Sequence, residues 1–339
     1  MLLVLALLVP IASDAFRLLG PAGTRPRWDA APRFVSGEER SLDGGLRYSI
    51  EGGSYEGLRD QLNWIGSPPS VEDFEAAIAR AFENWTVVDP ETGLPASFHF
   101  VEDLATVAVD EPGRPTDPFR FIGVNPGAEI DVFVETPHAG PSFGASVIVF
   151  VDPVADDLTL TSGTTDYPGL AISGADIRIN PIFSWSLRGF EHLLSHEIGH
   201  ALGLGDLEFQ SGLAGGSAFL DDDYDPSTSE SAAATLTNSF ALEIDPLEPE
   251  ASPLVAYSGN INTDPGLDTP GVVLLMETEN IFELRDADPL LQNDDFAGRQ
   301  FLYPVLVPEP DGSRMLLAGI ALLTFAAWRS GRGRRVASG

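Results

Sequence analysis

The sequence predicts an α+β fold: a twisted mixed β-sheet with one helix ahead of most of its strands and another after them. Three observations lead there. Strand-like segments cluster with helical patterns around them instead of alternating strictly with helices, which favours α+β over a doubly wound fold. One of those segments, "ASVIVFVD" from Ala145 to Asp152, is an apolar run that suits a strand buried on both faces. Two well-separated stretches carry helix-start signals, one before this run and one near the end of the chain.

Each element can be justified in chain order. Residues 16–44, rich in Pro, Gly and Arg, read as an irregular lead-in. "LRYSIEG" from Leu46 alternates like a strand. "SPPSVEDFEAAIARAFENWTVV" follows as a helix. Ser70 is its N-cap with Asp73 three residues on, and Phe74, Ile78, Phe82 and Trp85 share one face. "SFHFVED", "EIDVFVE" and "ASVIVFVD" are further strands, and "ADIRINPIFSW" is another that ends just before a helix from about Arg188 to Leu202. Asp206 to Met276 is long, acidic and poor in regular signals, and its part 207–270 is taken up again below, where a family resemblance implies an insertion. "NDDFAGRQFLYP" forms a closing helix, with Asp294 and Asp295 near its positive N-terminus. One domain, 45–306, holds these elements, and no internal repeat is present.

Composition excludes some partners. The 339 residues carry a net charge of −32, and all 19 basic residues are Arg, so the body repels nucleic acid and anionic lipid. No cysteine is present. The fold therefore holds without disulfides, and the lead-in cannot block a metal through a thiolate.

The chain ends point to export. Residues 1–15 form an apolar run of signal-peptide length, with Ser13 and Ala15 placed for cleavage before Phe16. The tail, 307–339, contains "VPEP", an apolar run at 315–328 and then Arg329, Arg332, Arg334 and Arg335. That run is shorter than the roughly 20 residues that span a bilayer unaided, although flanking arginines can snorkel.

The chemistry sits in "SHEIGHALGLGDLE", Ser195 to Glu208. His196 and His200 are one helical turn apart, so both imidazoles project from the same side and can share a metal. They lie away from the stripe of Phe190, Leu194, Ile198 and Ala201, which argues against two satisfied core histidines. Glu197 is one step round, within reach of a water but not a ligand. Gly203 breaks the helix by taking φ > 0, and the returning chain offers Asp206 as a third ligand. Three protein ligands with a fourth position left for water is the arrangement of a catalytic zinc. His192 extends the histidine ladder by one turn and reads as exposed or supporting. His99 and His138 stand alone, as structural or surface residues. "LDDDYDP", Leu220 to Pro226, offers carboxylates to Ca²⁺ but matches no defined ligand spacing, and otherwise reads as a solvated acidic loop.

HExxHxxGxxD resembles the zinc signature of metzincins, specifically the matrixin-like metallopeptidases, some bacterial members of which carry Asp last. The resemblance spans about Leu46 to Tyr303. It implies a metzincin-like fold with an active-site helix, zinc held by His196, His200 and Asp206, Glu197 as general base, and Met276 in a methionine turn below the metal. It also implies that Asp295 ties the last helix to that turn. "PGLAISGADIRIN" is similar to the edge strand that pairs with substrate backbone, which would place Gly169, Leu170 and Ala171 at the substrate. The long insertion and the acidic third ligand depart from compact members. The tail resembles the PEP-CTERM sorting signal of Gram-negative bacteria. That implies handling by an exosortase-type enzyme, transient membrane anchoring through the C-terminal helix, and a cell-envelope or matrix location. The expectation is an exported zinc endopeptidase acting on protein or peptide. Its rivals are a non-catalytic metal-containing surface or matrix protein of the same fold, and a hydrolase of another amide or ester.

Overall fold

A computed structural model describes residues 16–19, 25–35, 37–110, 119–121, 127–137, 141, 143–152, 157–207, 218–236, 244–251, 254–258, 274–276, 291 and 293–306. The expected leader, His138, much of 207–270 and the sorting tail lie outside them. Among the described residues no helix is long and apolar enough to cross a membrane. A compact unit runs to Val305, and the elements below belong to it.

Six strands form the main sheet: β1 (Leu46–Ile50), β2 (Phe100–Glu102), β3 (Phe119–Phe121), β4 (Ile130–Val134), β5 (Ala145–Val151) and β6 (Ile172–Ile179). Their order across the sheet is β2-β1-β4-β6-β5-β3. β2, β1, β4 and β6 run parallel, β5 is antiparallel to β6, and β3 is parallel to β5. The sheet is mixed, as expected for α+β. β4 and β6 are buried along their whole lengths although they carry Asp131, Asp176 and Arg178, and the apolar run of the sequence is β5, buried at all but one position.

This order corrects one expectation. The strand expected at the sheet edge, Ile172–Ile179, is interior, because β4 and β5 occupy both of its flanks. The same strand also ends sooner than expected. Asn180 ends β6 by donating Nδ2 to the carbonyls of Pro141 and Phe143, and Ser184–Trp185 breaks away to pair with Asn63–Trp64.

Five α-helices lie among the described elements: α1 (Tyr55–Arg59), α2 (Val71–Glu83), α3 (Leu187–Ala201), α4 (Ser229–Leu236) and α5 (Asn293–Leu302). The predicted cap of α2 is present: Ser70 Oγ accepts from Asp73 N at 3.0 Å. Phe74, Ala77, Ile78, Ala81 and Phe82 are its buried residues. They follow helical spacing, and each such large side chain contributes roughly 1.5–3 kcal/mol on burial. Phe74 packs on Phe190 of α3 with ring centroids 4.9 Å apart. Trp85 falls in the 3₁₀ turn after α2, and its indole N–H donates to Ser195 O at 2.7 Å. α2 thus packs both on α3 and, through Phe82 stacked on Tyr48, on the sheet.

The lead-in is irregular but not loose. Leu19 N donates to Gly203 O, the Trp28 indole donates to Ala201 O at 3.0 Å, and Arg27 Nη1 donates to the carbonyls of Phe301 and Leu302. These bonds satisfy carbonyls left open at the ends of α3 and α5. Gly203, with φ of +108°, makes this closure possible, and a Cβ there would collide with Pro26 O. Gly203→Ala is therefore expected to cost about 1–3 kcal/mol from backbone strain, and more from the clash. A chemical-denaturation midpoint unchanged from the parent would contradict this.

Candidate metal centre

α3 starts at its N-cap Ser186, whose Oγ accepts from Gly189 N at 3.0 Å, and it is buried on nearly every side. The histidine face is therefore interior, not a second, wetter face. After Ala201 the chain turns at Gly203, and Leu204–Gly205 pairs antiparallel with Arg17–Leu18. That returning strand carries Asp206 back to the helix.

Asp206 Oδ1 lies 3.0 Å from His196 Nε2 and 3.1 Å from His200 Nε2. The three residues form a group able to hold a metal ion, with ligand atoms within 4.8 Å of one another. Their remaining contacts suit that task. His196 Nδ1 lies 2.7 Å from Leu275 O and His200 Nδ1 lies 2.9 Å from Leu204 O. A carbonyl only accepts, so each Nδ1 carries the proton and each Nε2 presents its lone pair inward when the ring is neutral. Without an ion, the pocket protonates instead. Burial lowers the His200 pKa, but the Asp206 carboxylate overcomes this and raises it to about 9. Burial likewise works against the Asp206 carboxylate, yet His200 and His196 hold it well below the usual range.

Glu197 is 4 % exposed, and its Oε2 has no hydrogen-bond partner. Burial pushes its carboxyl up, against the pull of His200 and His196. A buried carboxylate with an unused oxygen costs free energy unless something outside the chain engages it. Raised basicity in a site of this kind suits proton transfer.

Leu274, Leu275 and Met276 are buried, and a Cβ at Gly199 would strike Met276 Sδ and come within 2.6 Å of the Trp85 ring. Met276 thus sits against the helix between the two histidine turns. Leu207 N donates to Met276 O at 2.9 Å, and Leu275 N donates to Asp295 Oδ2 at 3.2 Å. Asp295 ties α5 to the turn whose carbonyl orients His196.

The remaining candidates separate. His192 is 3 % exposed, so the exposed reading is withdrawn, and the ligand group does not include it. His99 is exposed. Leu170 O accepts from Arg27 N at 3.1 Å and Ala171 O from Asp152 N at 2.9 Å, so this chain itself occupies those backbone acceptors beside Gly169. Sequence reasoning passed over the Leu204 and Leu275 carbonyls, because a backbone acceptor carries no residue signature. No family model matches the chain, and no curated protein shows significant similarity to it.

Metal binding at neutral pH must displace the proton that Asp206 stabilises on His200. Since that pKa is about 9, affinity should rise with pH up to that value and gain nothing from this source above it. Calorimetric titration of zinc into metal-free protein at pH 7, in buffers of different ionisation enthalpy, should report release of about one proton. Zero release would show that His200 is neutral in the free site.

Proposed function

We propose that this chain is an exported zinc-dependent endopeptidase of metzincin type, in its matrixin-like branch. The observation that carries the reading is the unpartnered, buried oxygen of Glu197 directly beside the three-ligand group. A purely structural metal site has no use for such a base. The signature, the mixed sheet, the buried helix with a preceding and a closing helix, and the Met276 turn joined to Asp295 all agree with the resemblance.

His196, His200 and Asp206 would hold the zinc, which when bound supplies Lewis-acid activation of a water and of the scissile carbonyl. Glu197 accepts the proton of the attacking water and later delivers it to the leaving amine. Its raised pKa favours the first half of that exchange, because it takes up the proton more readily than an exposed carboxylate does. Leu275 O and Leu204 O fix the imidazoles, so the ligand set is arranged before substrate arrives. The substrate is protein or peptide, and the terminal segments supply the export, exosortase handling and transient anchoring.

Glu197→Ala should retain zinc and lose cleavage of a mixed peptide library by about 10²–10⁴-fold, the usual contribution of a general base. Zinc content and product mass spectra on the same preparations would check it. Undiminished cleavage in the variant, or a zinc-loaded parent that cuts no peptide, would overturn the reading. Hydrolysis of other amides or esters alone would transfer it to a different hydrolase.

A further inference from the structure

The carboxyl end of α3 lies in sequence between the ligands His200 and Asp206, and two buried side chains hold its carbonyls. A helix leaves its last carbonyls without partners inside the helix. Here Ala201 O accepts from the Trp28 indole N–H at 3.0 Å, and Leu202 O accepts from the Tyr303 hydroxyl at 2.5 Å. Trp28 is 1 % exposed and Tyr303 2 %. One belongs to the lead-in and the other follows α5, yet they meet: Trp28 N lies 3.3 Å from the Tyr303 hydroxyl oxygen. A backbone N–H only donates, so the phenol accepts there and its single proton goes to Leu202 O. Burial pushes the Tyr303 pKa up, which keeps the hydroxyl a donor well past neutral pH.

Both donors stand on backbone that is fixed without help from the ligands. Arg27 O, one residue before Trp28, accepts from Ile172 N at 2.9 Å at the start of β6. Tyr303 N donates to Arg299 O at 2.8 Å, and Ser97 Oγ donates to Tyr303 O at 2.9 Å. The Tyr303 ring lies edge-on to Phe98, with centroids 5.0 Å apart. The stretch that these two side chains hold is the one on which the site closes. Two residues beyond Leu202, Leu204 O meets His200 Nδ1 at 2.9 Å, and two beyond that Asp206 Oδ1 faces both imidazoles. Carbonyls pinned at Ala201 and Leu202 therefore set the direction in which this short stretch leaves the helix.

We propose that Trp28 and Tyr303 are positioning residues of the metal centre, fixing the exit of α3 so that Leu204 O orients His200 and Asp206 completes the ligand set. Groups one step removed from a metal change its affinity by about 10–100-fold when replaced, because they set the orientation of the ligands. The inference rests on the ligand set His196, His200 and Asp206 and not on peptide cleavage.

The test uses the purified full chain, stripped of metal. Zinc affinity is measured by competition with a chromophoric chelator, and the visible absorption of the Co²⁺-loaded protein reports ligand geometry. Tyr303→Phe keeps the ring against Phe98 but strips Leu202 O of its donor and Trp28 N of its acceptor. It should bind zinc about tenfold more weakly than the parent and alter the Co²⁺ bands. Trp28→Phe should do the same through Ala201 O, and the milder Tyr303→Phe decides alone if that variant folds poorly. Ser70→Ala, which removes the cap of α2, is the control. Its Tm should fall while its zinc affinity and Co²⁺ spectrum stay those of the parent. The proposal is overturned if both variants match the parent in affinity and spectrum. It is equally overturned if Ser70→Ala weakens zinc binding as much as they do, which would assign the effect to general loosening. A parent that binds neither ion fails at the ligand set itself, a separate result, and takes the inference with it.

Discussion

The convergence of one carboxylate on two imidazoles is the constraint around which this structure is arranged. Asp206 Oδ1 stands about equally far from His196 Nε2 and His200 Nε2, in a pocket where burial works against every charged form. A desolvated carboxylate is tolerable only opposite positive charge. A protonated His200 or a cation can supply it, and the carbonyls behind each Nδ1 leave the two inner nitrogens to face Asp206. The turn at Gly203, the short pairing with Arg17–Leu18 and the lead-in bonds beyond it all serve to return Asp206 to that point.

A second line of support runs from the opposite side. Asp295 holds Leu275 N, Leu275 O faces His196, and Met276 fills the space that a side chain at Gly199 would otherwise need. Three of these links are hydrogen bonds or close packing inside the protein, where neighbouring dipoles are not screened by water. Displacement of α5 would therefore reach the histidine directly.

Where local chemistry is strong, the sequence was legible. Ser70 with Asp73, the Phe74–Ile78–Phe82 face and the limits of α3 follow from capping and periodicity, and the structure places them within a residue or so of the reading. The ligand spacing was legible because a helical turn puts His196 and His200 on one side whatever surrounds them. Other features were not. "ADIRINPIFSW" carries no mark of where β6 stops, because Asn180 ends it through carbonyls from another loop. The interior place of β6 is likewise a fact about its neighbours. The lead-in appears structureless in sequence because its bonds go to helix ends more than a hundred residues away.

By itself, then, the sequence determined the helix that bears the motif, the face its histidines occupy, the break at Gly203 and the strongly negative net charge. These depend on residues within one or two turns of each other, or on composition. Only the tertiary structure decided that the histidine face is buried, that Leu275 and Leu204 orient the rings, that β6 is interior, and that Asp295 holds the Leu275 amide. Each of those depends on burial and on backbone groups brought together from distant parts of the chain, and neither burial nor a backbone carbonyl is written in any local pattern of side chains.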